Sequence, residues 1–165
     1  MKLAETKYDN RATGCCADLD PTLWDGRTVT WTDQRCVKDR VRALFHVPLD
    51  FGAAVSRAHA AIEKAEAYPE HPLWLSDETS LWRSDLYVPV DREVPGAETV
   101  TMSGTFATKI FEGPFRDAGK WVRAMREHVT AQGHDMKKLY FFYAICPKCA
   151  KRLGHNRVVL FAKVG

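Results

Sequence analysis

The sequence predicts an α+β fold made of two pseudo-twofold βαββ repeats, which form antiparallel sheets with a helix on one face of each and follow an N-terminal extension. Two observations lead to this prediction. Phe45–Leu49 and Phe111–Phe115 each place a proline where an alternating strand pattern gives way to a helical one. The two prolines, Pro48 and Pro114, are 66 residues apart (114 − 48). A fixed offset of this kind is typical of a duplicated supersecondary unit.

The first copy is predicted from two changes of hydrophobic period. Apolar and charged residues alternate over Val37–Val47, which indicates a half-buried strand. A helix is expected over Phe51–Ala65, because apolar side chains recur there at every third or fourth position. Prolines end this helix, and two strands, Leu73–Leu75 and Leu81–Val90, complete the copy.

The second copy repeats the order of elements. A strand is expected over Thr105–Glu112, and a helix follows over Asp117–Ala131, with Gly133 in the position of a C-terminal cap. Its buried stripe consists of Trp121, Met125 and Val129. Two strands, Leu139–Ile145 and Arg157–Val164, close the copy.

A chain of 165 residues corresponds to about one domain. We expect a single domain over residues 1–165, with an extension over 1–31, a first repeat over 36–92 and a second over 98–165. The polar, turn-rich stretch before residue 98 serves as the joint. Because a helix covers one face of each sheet, the uncovered faces are expected to share a cleft, which is a natural site for a small molecule.

Composition excludes several classes of protein. The chain is 45% hydrophobic and 27% charged, as in an ordinary globular protein. Its net charge of +3 is small and dispersed, so we expect no nucleic-acid partner. No apolar run approaches the length of a membrane span, and the polar N-terminal segment lacks the apolar region of a secretory signal. We therefore expect a cytoplasmic protein.

Four of the five cysteines occur as pairs, Cys15-Cys16 and Cys146-Pro-Lys-Cys149. Because cytoplasmic thiols stay reduced, these pairs favour ligands or redox groups over disulfides. Two pairs supply the four sulfurs of a tetrahedral zinc ion, so we expect one structural zinc bound by Cys15, Cys16, Cys146 and Cys149. Redox chemistry and a tight strand connection without an ion are the alternatives. Cys36 is expected to be a buried hydrophobe.

Two repeat-equivalent residues are candidates for acid-base chemistry. The 66-residue offset sets Glu112 against His46 (112 − 66), so both are expected to face a shared cleft as an acid and a base. Alternatively, Glu112 places a favourable negative charge at the N-terminus of the following helix, and His46 is an ordinary polar residue. Arg40 and Arg42 share a strand face with His46, and there they either attract an anion or form a solvated face.

Aromatic residues are concentrated in the later strands of both copies. Aromatic walls suit flat, apolar or cationic ligands. Since alternation turns about half of each strand away from the helices, we expect Trp82, Tyr87, Phe141 and Tyr143 to line a pocket with Asp85 or Glu112 at its wall. Packing in the core is the alternative for each of these aromatic side chains.

Three short motifs carry a resemblance to a known family. Gly113-Pro114-Phe115 precedes the second helix, Arg83-x-Asp85 lies on the last strand of the first copy, and Tyr143-x-x-Cys-Pro147 ends the aromatic strand. From about Cys36 to the C-terminus, the chain resembles the GyrI-like small-molecule-binding superfamily. The resemblance implies tandem strand-helix-strand-strand repeats. That superfamily includes effector domains of drug-responsive regulators, stand-alone proteins named for gyrase inhibition, and hydrolases that open strained rings. A subgroup with the same cysteine pairs is often labelled hydrolase.

One departure from the GyrI-like pattern affects the expected chemistry. Many members have a glutamate two residues before the strand tyrosine, and Phe141 occupies that place here. Any acid must therefore come from Glu112, Asp85, Asp77 or Glu78. Because no DNA-binding helix-turn-helix precedes the repeats, we expect a stand-alone small-molecule-binding protein rather than a regulator. The alternatives are a hydrolase that uses a cleft carboxylate on a hydrophobic or strained compound, and a thiol-redox or metal-handling protein.

Overall fold

A computed structural model describes residues 21–44, 47–68, 73–78, 80, 82–145 and 147–165. Within these ranges the chain is an α+β protein with antiparallel strands, which confirms the α+β class but not the division into two βαββ repeats. The elements, in chain order, are α1 (Pro21–Trp24), β1 (Arg27–Leu44), β2 (Val47–Pro48), α2 (Phe51–Lys64), β3 (Leu75–Asp77), β4 (Arg83–Pro89), β5 (Glu98–Glu112), a 3₁₀ turn (Phe115–Asp117), α3 (Ala118–Ala131), β6 (Lys138–Tyr143), α4 (Pro147–Leu153) and β7 (Arg157–Lys163).

The chain divides into two units that share two strands. One unit is Trp31–Ser103, and the other is Gly104–Gly165 together with the described residues 21–30. The boundaries cut through β1 and β5, so each of these strands contributes residues to both units. None of the helices in the described residues has the length and apolar character needed to cross a bilayer.

In the unit Trp31–Ser103, the strand order is β2-β1-β4-β3. Helix α2 covers one face of this sheet because its apolar stripe recurs at helical spacing, with Ala54, Ala58 and Ile62 buried. These side chains pack against Leu86 and Val88 of β4. The predicted helix is confirmed in both its position and its buried side.

In the unit that contains Gly104–Gly165, the strand order is β6-β7-β5. Helix α3 buries Trp121, Met125 and Val129, which is the stripe predicted from the sequence. These residues form one core with alternate positions of the three strands, among them Leu160 and Phe141. The helix therefore packs on a single face of this sheet.

The residues before β1 pack on the opposite face of the same sheet. Trp24, the last residue of α1, is 2% exposed, and its ring lies 5.5 Å from that of Phe161. The hydroxyl of Thr108, which is fully buried, donates a hydrogen bond to the carbonyl of Trp24 at 2.7 Å. A buried hydroxyl needs such a partner, so this bond holds the segment against β5.

Helix α4 lies where the sequence analysis predicted a turn between strands. Proline suits its first position, Pro147, because no intrahelical N–H is needed there. The following residues through Leu153 include strong helix formers, and Gly154 ends the helix with φ +78°. The connection between β3 and β4 has only five residues, 78–82. The two units therefore differ at this connection.

The first predicted strand differs from the structure at both ends. β1 begins at Arg27, ten residues before Val37 (37 − 27), and it ends at Leu44. The short strand β2 then pairs back on it, with Leu44 opposite Val47. Phe45 and His46 lie outside the described residues.

Candidate functional site

One face of the sheet in the unit Trp31–Ser103 gathers charged side chains. On β4, Leu86 and Val88 point toward α2, so the alternate residues Asp85 and Tyr87 point away from it. The register sets Asp85 between Arg40 and Asp77, and Tyr87 between Lys38 and Leu75. We call this set of six residues the Asp85 face: Lys38, Arg40, Leu75, Asp77, Asp85 and Tyr87.

The carboxylate of Asp85 is buried, and two cations approach it. Lys38 Nζ lies 3.7 Å from Asp85 Oδ2, and Arg40 Nε lies 3.8 Å from Oδ1. Both distances allow attraction but are too long for a hydrogen bond. Oδ1 is buried and accepts no hydrogen bond from any described residue. Leaving a buried acceptor in this state costs about 1–3 kcal/mol, which a ligand with a suitably placed donor recovers.

A second buried carboxylate lies directly opposite. Asp77 of β3 is 6% exposed and Asp85 is 8% exposed, and the two are partners in the β3–β4 register. Side chains in such positions are about 4.5–5.5 Å apart at Cβ. Lys38 also lies 3.9 Å from Glu98 Oε1, so its ammonium group attracts the carboxylates of both Asp85 and Glu98. Because carboxylate oxygens accept hydrogen bonds, this part of the face suits a ligand that carries donors.

Tyr87 supplies the aromatic part of this face. It is 9% exposed, and the Lys38 ammonium lies 5.8 Å from the centre of its ring. This geometry is a cation–π contact, so the ring is oriented to attract positive charge. Trp82 precedes β4 and is 58% exposed, which places it on the surface at the end of the strand.

The other two predicted pocket residues lie on the side of β6 that α3 covers. Phe141 is 6% exposed within the α3 core, and Tyr143 packs against the same core with its ring stacked 5.7 Å from that of Phe141. The prediction that Phe141 and Tyr143 face away from the helices is therefore corrected. Tyr140 and Phe142 occupy the opposite face of the strand. Every residue from Leu139 to Tyr143 is apolar or aromatic, so the sequence pattern does not show which of them face the helix.

The predicted acid Glu112 belongs to the other unit. It ends β5, and its Oε1 accepts a hydrogen bond of 2.6 Å from Arg157 Nε, its partner in the register with β7. About half of its side chain, 54%, is exposed. Its predicted partner His46 lies outside the described residues, so the acid-base pair of Glu112 and His46 stays a prediction.

The predicted zinc ligands are largely beyond the described residues. Cys15, Cys16 and Cys146 lie outside them, and Cys149 is buried in α4. Among the described residues, no three His, Cys, Asp or Glu side chains are grouped as metal ligands would be. Cys36 is fully buried, as predicted, and burial raises the pKa of its thiol to about 12. At neutral pH this thiol is protonated and is a poor nucleophile.

Sequence reasoning missed part of the Asp85 face. Lys38 was not a candidate, and Asp77 was named only among several alternative acids. Both lie in strands where charged and apolar residues are mixed, and only the pairing of β1, β4 and β3 shows that they share one face. The signal available in the sequence was the position of Asp77 next to a short apolar run, which does not specify its partner strand.

Comparisons with known proteins give one family and several similar folds. Residues 6–164 match a family described as bacterial hydrolase. Comparison with curated protein sequences gives no match. A hydrolase from Listeria innocua has a similar structure, with a TM-score of 0.60 at 12% identity, over 86% of this chain and 93% of that one.

Two other solved structures share the fold. An uncharacterised conserved protein from Listeria innocua gives a TM-score of 0.61 at 12% identity, over 84% of this chain and 91% of that one. EcmrR, solved in a complex with DNA, gives 0.64 at 9% identity, and the match spans 87% of this chain but 58% of EcmrR. Identities this low establish the fold alone. Because the family match extends over nearly the whole chain, the protein belongs to the bacterial hydrolase family.

Proposed function

We propose that this protein binds a small aromatic molecule on the Asp85 face, and that the ligand donates a hydrogen bond to Asp85 Oδ1. The observation that carries this proposal is the buried Oδ1 atom, which accepts no hydrogen bond from the described residues. Buried polar atoms in folded proteins almost always have a partner. A donor group on a ligand supplies one.

The surroundings of Asp85 favour a flat ligand that is neutral or positively charged. The carboxylates of Asp77 and Asp85 are partners in the β3–β4 register, and Lys38 lies near those of Asp85 and Glu98. The Tyr87 ring lies beside them and adds an apolar surface with a negative face. An aromatic amine combines the donor, the charge and the flat body that this arrangement accepts.

Replacing Asp85 is expected to weaken the binding of such a ligand. A suitable probe is proflavine, a planar aromatic cation with amino groups, titrated by its fluorescence anisotropy. In Asp85→Asn, the loss of charge on the acceptor should weaken binding about tenfold, since hydrogen bonds to charged groups contribute about 1.5–3 kcal/mol. Tyr87→Leu should also weaken binding, because the ring face is removed.

The matched control is Asp91→Asn, which removes an exposed carboxylate of the same unit that pairs with Arg92. Its affinity for proflavine should equal that of the wild type. An unchanged affinity in Asp85→Asn, or an equal loss in Asp91→Asn, contradicts the proposal.

A second candidate function is hydrolysis, which the family description and the facing carboxylates Asp77 and Asp85 favour. In this reaction one carboxylate takes a proton from water, the hydroxide adds to an electrophilic carbon, and the displaced oxygen takes a proton from solvent. The test is conversion of styrene oxide to its diol in water labelled with oxygen-18. Turnover that is lost in Asp77→Asn and Asp85→Asn supports hydrolysis, and the absence of diol in the wild type contradicts it.

We further propose that the chain is a GyrI-like protein built from two βαββ repeats. The order strand, helix, strand, strand supports this, as does a proline just before each long helix, Pro48 before α2 and Pro114 before α3. Gly113 adopts φ +134°, a conformation that favours glycine, which gives a physical reason for its place in the Gly-Pro-Phe motif. A crystal structure in which Pro48 fails to superpose on Pro114 contradicts the repeat.

The cysteine pairs remain candidates for one structural zinc ion in a cytoplasmic protein. The proposed ligands are Cys15, Cys16, Cys146 and Cys149, and the burial of Cys149 is compatible with a ligand shielded from water. Because structural zinc contributes folding free energy, tag-free protein should contain about one ion per chain, and Cys149→Ser should lose it. Zinc is measured by mass spectrometry. A content well below one ion per chain favours the redox or turn alternatives.

A further inference from the structure

We propose that Arg40, Arg42 and Arg83 form an anion-binding subsite that continues the Asp85 face, and that the ligand held there carries an anionic group on an apolar body. The register places Arg42 directly opposite Arg83, next to the pair of Arg40 and Asp85. By strand alternation Arg40, Arg42 and Arg83 lie on the same side of the sheet as Asp85. We call these three residues the arginine cluster.

Nearby carboxylates balance the positive charge of the arginine cluster only in part. Like charges at directly opposite positions of two strands are destabilising. Arg42 Nε donates to Asp50 Oδ2 at 2.8 Å, and this bond holds the pKa of Asp50 below its ordinary value. Arg40 lies too far from Asp85 for a hydrogen bond, and Arg83 makes no ion pair with any described residue. Three guanidinium groups therefore have one hydrogen-bonded carboxylate among them.

The same groups are accessible to a ligand. The side chains of Arg40 and Arg42 are 60% and 77% exposed, and Arg83 is exposed as well. Guanidinium groups bind carboxylates, sulfonates and phosphates through two parallel N–H donors, so neighbouring arginines converge readily on one anion. The cluster therefore offers exposed guanidinium donors on one side of the sheet.

An apolar border beside the cluster selects an organic anion. Leu44 and Leu49 are 47% and 63% exposed. Leu44 follows Arg42 by two positions on β1, and the Leu49 N–H donates to the Arg42 carbonyl at 2.8 Å. The anionic group of an amphiphilic ligand can contact the arginines while its hydrocarbon part covers these leucines. An inorganic anion leaves them exposed.

The inference rests on the proposed function only for the end of the ligand that reaches Asp85. Together the two parts specify an aromatic compound with a hydrogen-bond donor at one end and an anionic group at the other. The arginine cluster itself is tested with a probe that needs no contact with Asp85. Anilinonaphthalene sulfonate provides the anion and the apolar body, and phenylnaphthylamine provides the same ring system without the sulfonate.

Anilinonaphthalene sulfonate should bind saturably, and its affinity should fall as salt is added, because salt screens the interaction between exposed charges. In Arg83→Gln its affinity should fall about tenfold, as expected for the loss of a charge-assisted hydrogen bond, and Arg83→Lys should recover part of the loss. Affinity for the neutral naphthylamine should not change. The matched control is Arg92→Gln, which removes an exposed arginine paired with Asp91 outside the cluster. Unchanged thermal unfolding midpoints confirm that the variants are folded.

The proposal is overturned if the wild type does not bind the sulfonate saturably. It is also overturned if Arg83→Gln and Arg92→Gln bind it equally well, or if both naphthyl probes lose affinity together in Arg83→Gln. Proflavine binding separates this result from the proposed function. A loss of sulfonate binding in Arg83→Gln, with no effect of Asp85→Asn on proflavine, retains the anion subsite and removes the role proposed for Asp85.

Discussion

Replacing Phe161 with alanine is expected to lower the free energy of unfolding by about 3–5 kcal/mol, the usual cost of truncating a large aromatic side chain in a core. Phe161 lies on β7, is fully buried and points away from α3. Its ring packs against that of Trp24. The substitution therefore leaves a cavity in the sheet and also removes the aromatic surface on which α1 packs. Urea denaturation, followed by tryptophan fluorescence and circular dichroism, measures the loss.

The control for Phe161 is Phe115→Ala. Phe115 is 44% exposed and contacts Tyr143 edge-on, so its truncation should cost less than about 1 kcal/mol. A loss of stability in Phe161→Ala no larger than that in Phe115→Ala contradicts the described packing of Trp24 on β7.

Gly104→Ala is expected to lower stability by about 2–4 kcal/mol, because both the backbone conformation and the available space exclude a Cβ atom. Gly104 lies in β5 with φ +144°, which side-chain-bearing residues rarely adopt. A Cβ atom there would lie 2.4 Å from the carbonyl oxygen of Gly165 and 2.7 Å from Lys163 Cε. Thr105 donates its N–H to that same carbonyl, so relief of the clash requires breaking the bond that holds the C-terminus.

Gly119→Ala is the matched control, since it makes the same chemical change in the first turn of α3. A Cβ atom at Gly119 has no neighbour within 4 Å, and alanine is a better helix former than glycine. This variant should therefore gain up to about 1 kcal/mol of stability. The measurement is the thermal unfolding midpoint of each variant. Equal midpoints for Gly104→Ala and Gly119→Ala would show that a Cβ atom is tolerated at Gly104.

The long helices could be predicted from the sequence because their hydrophobic period is unambiguous. Trp121, Met125 and Val129 repeat every fourth residue in an otherwise polar segment, and only one face of a helix can bury them. Helix α4 was missed because the residues that follow the Cys-x-x-Cys motif, Ala150–Gly154, were interpreted as a turn between strands. The helix propensity of its residues was the better signal.

The site was less predictable than the helices because it depends on strand pairing. Tyr87 was identified from the aromatic residues concentrated in the later strands, and Asp85 from the Arg83-x-Asp85 motif and as an alternative acid. The contribution of Lys38 depends on the register between β1 and β4, which the sequence does not specify. Phe141 was assigned to the wrong face because its strand is apolar on both sides, so that its burial reflects the packing of α3 rather than any local pattern.

The position of Trp24 has a consequence for how the chain folds during synthesis. Its aromatic partner Phe161 lies 137 residues later (161 − 24), in the last strand, and the unit Trp31–Ser103 is encoded between them. A contact between such distant residues forms only after the entropy of closing the intervening loop has been overcome. During synthesis, Trp24 therefore cannot make this contact until β7 has left the ribosome. Until then its indole stays accessible to chaperones, although the whole unit Trp31–Ser103 has already been made.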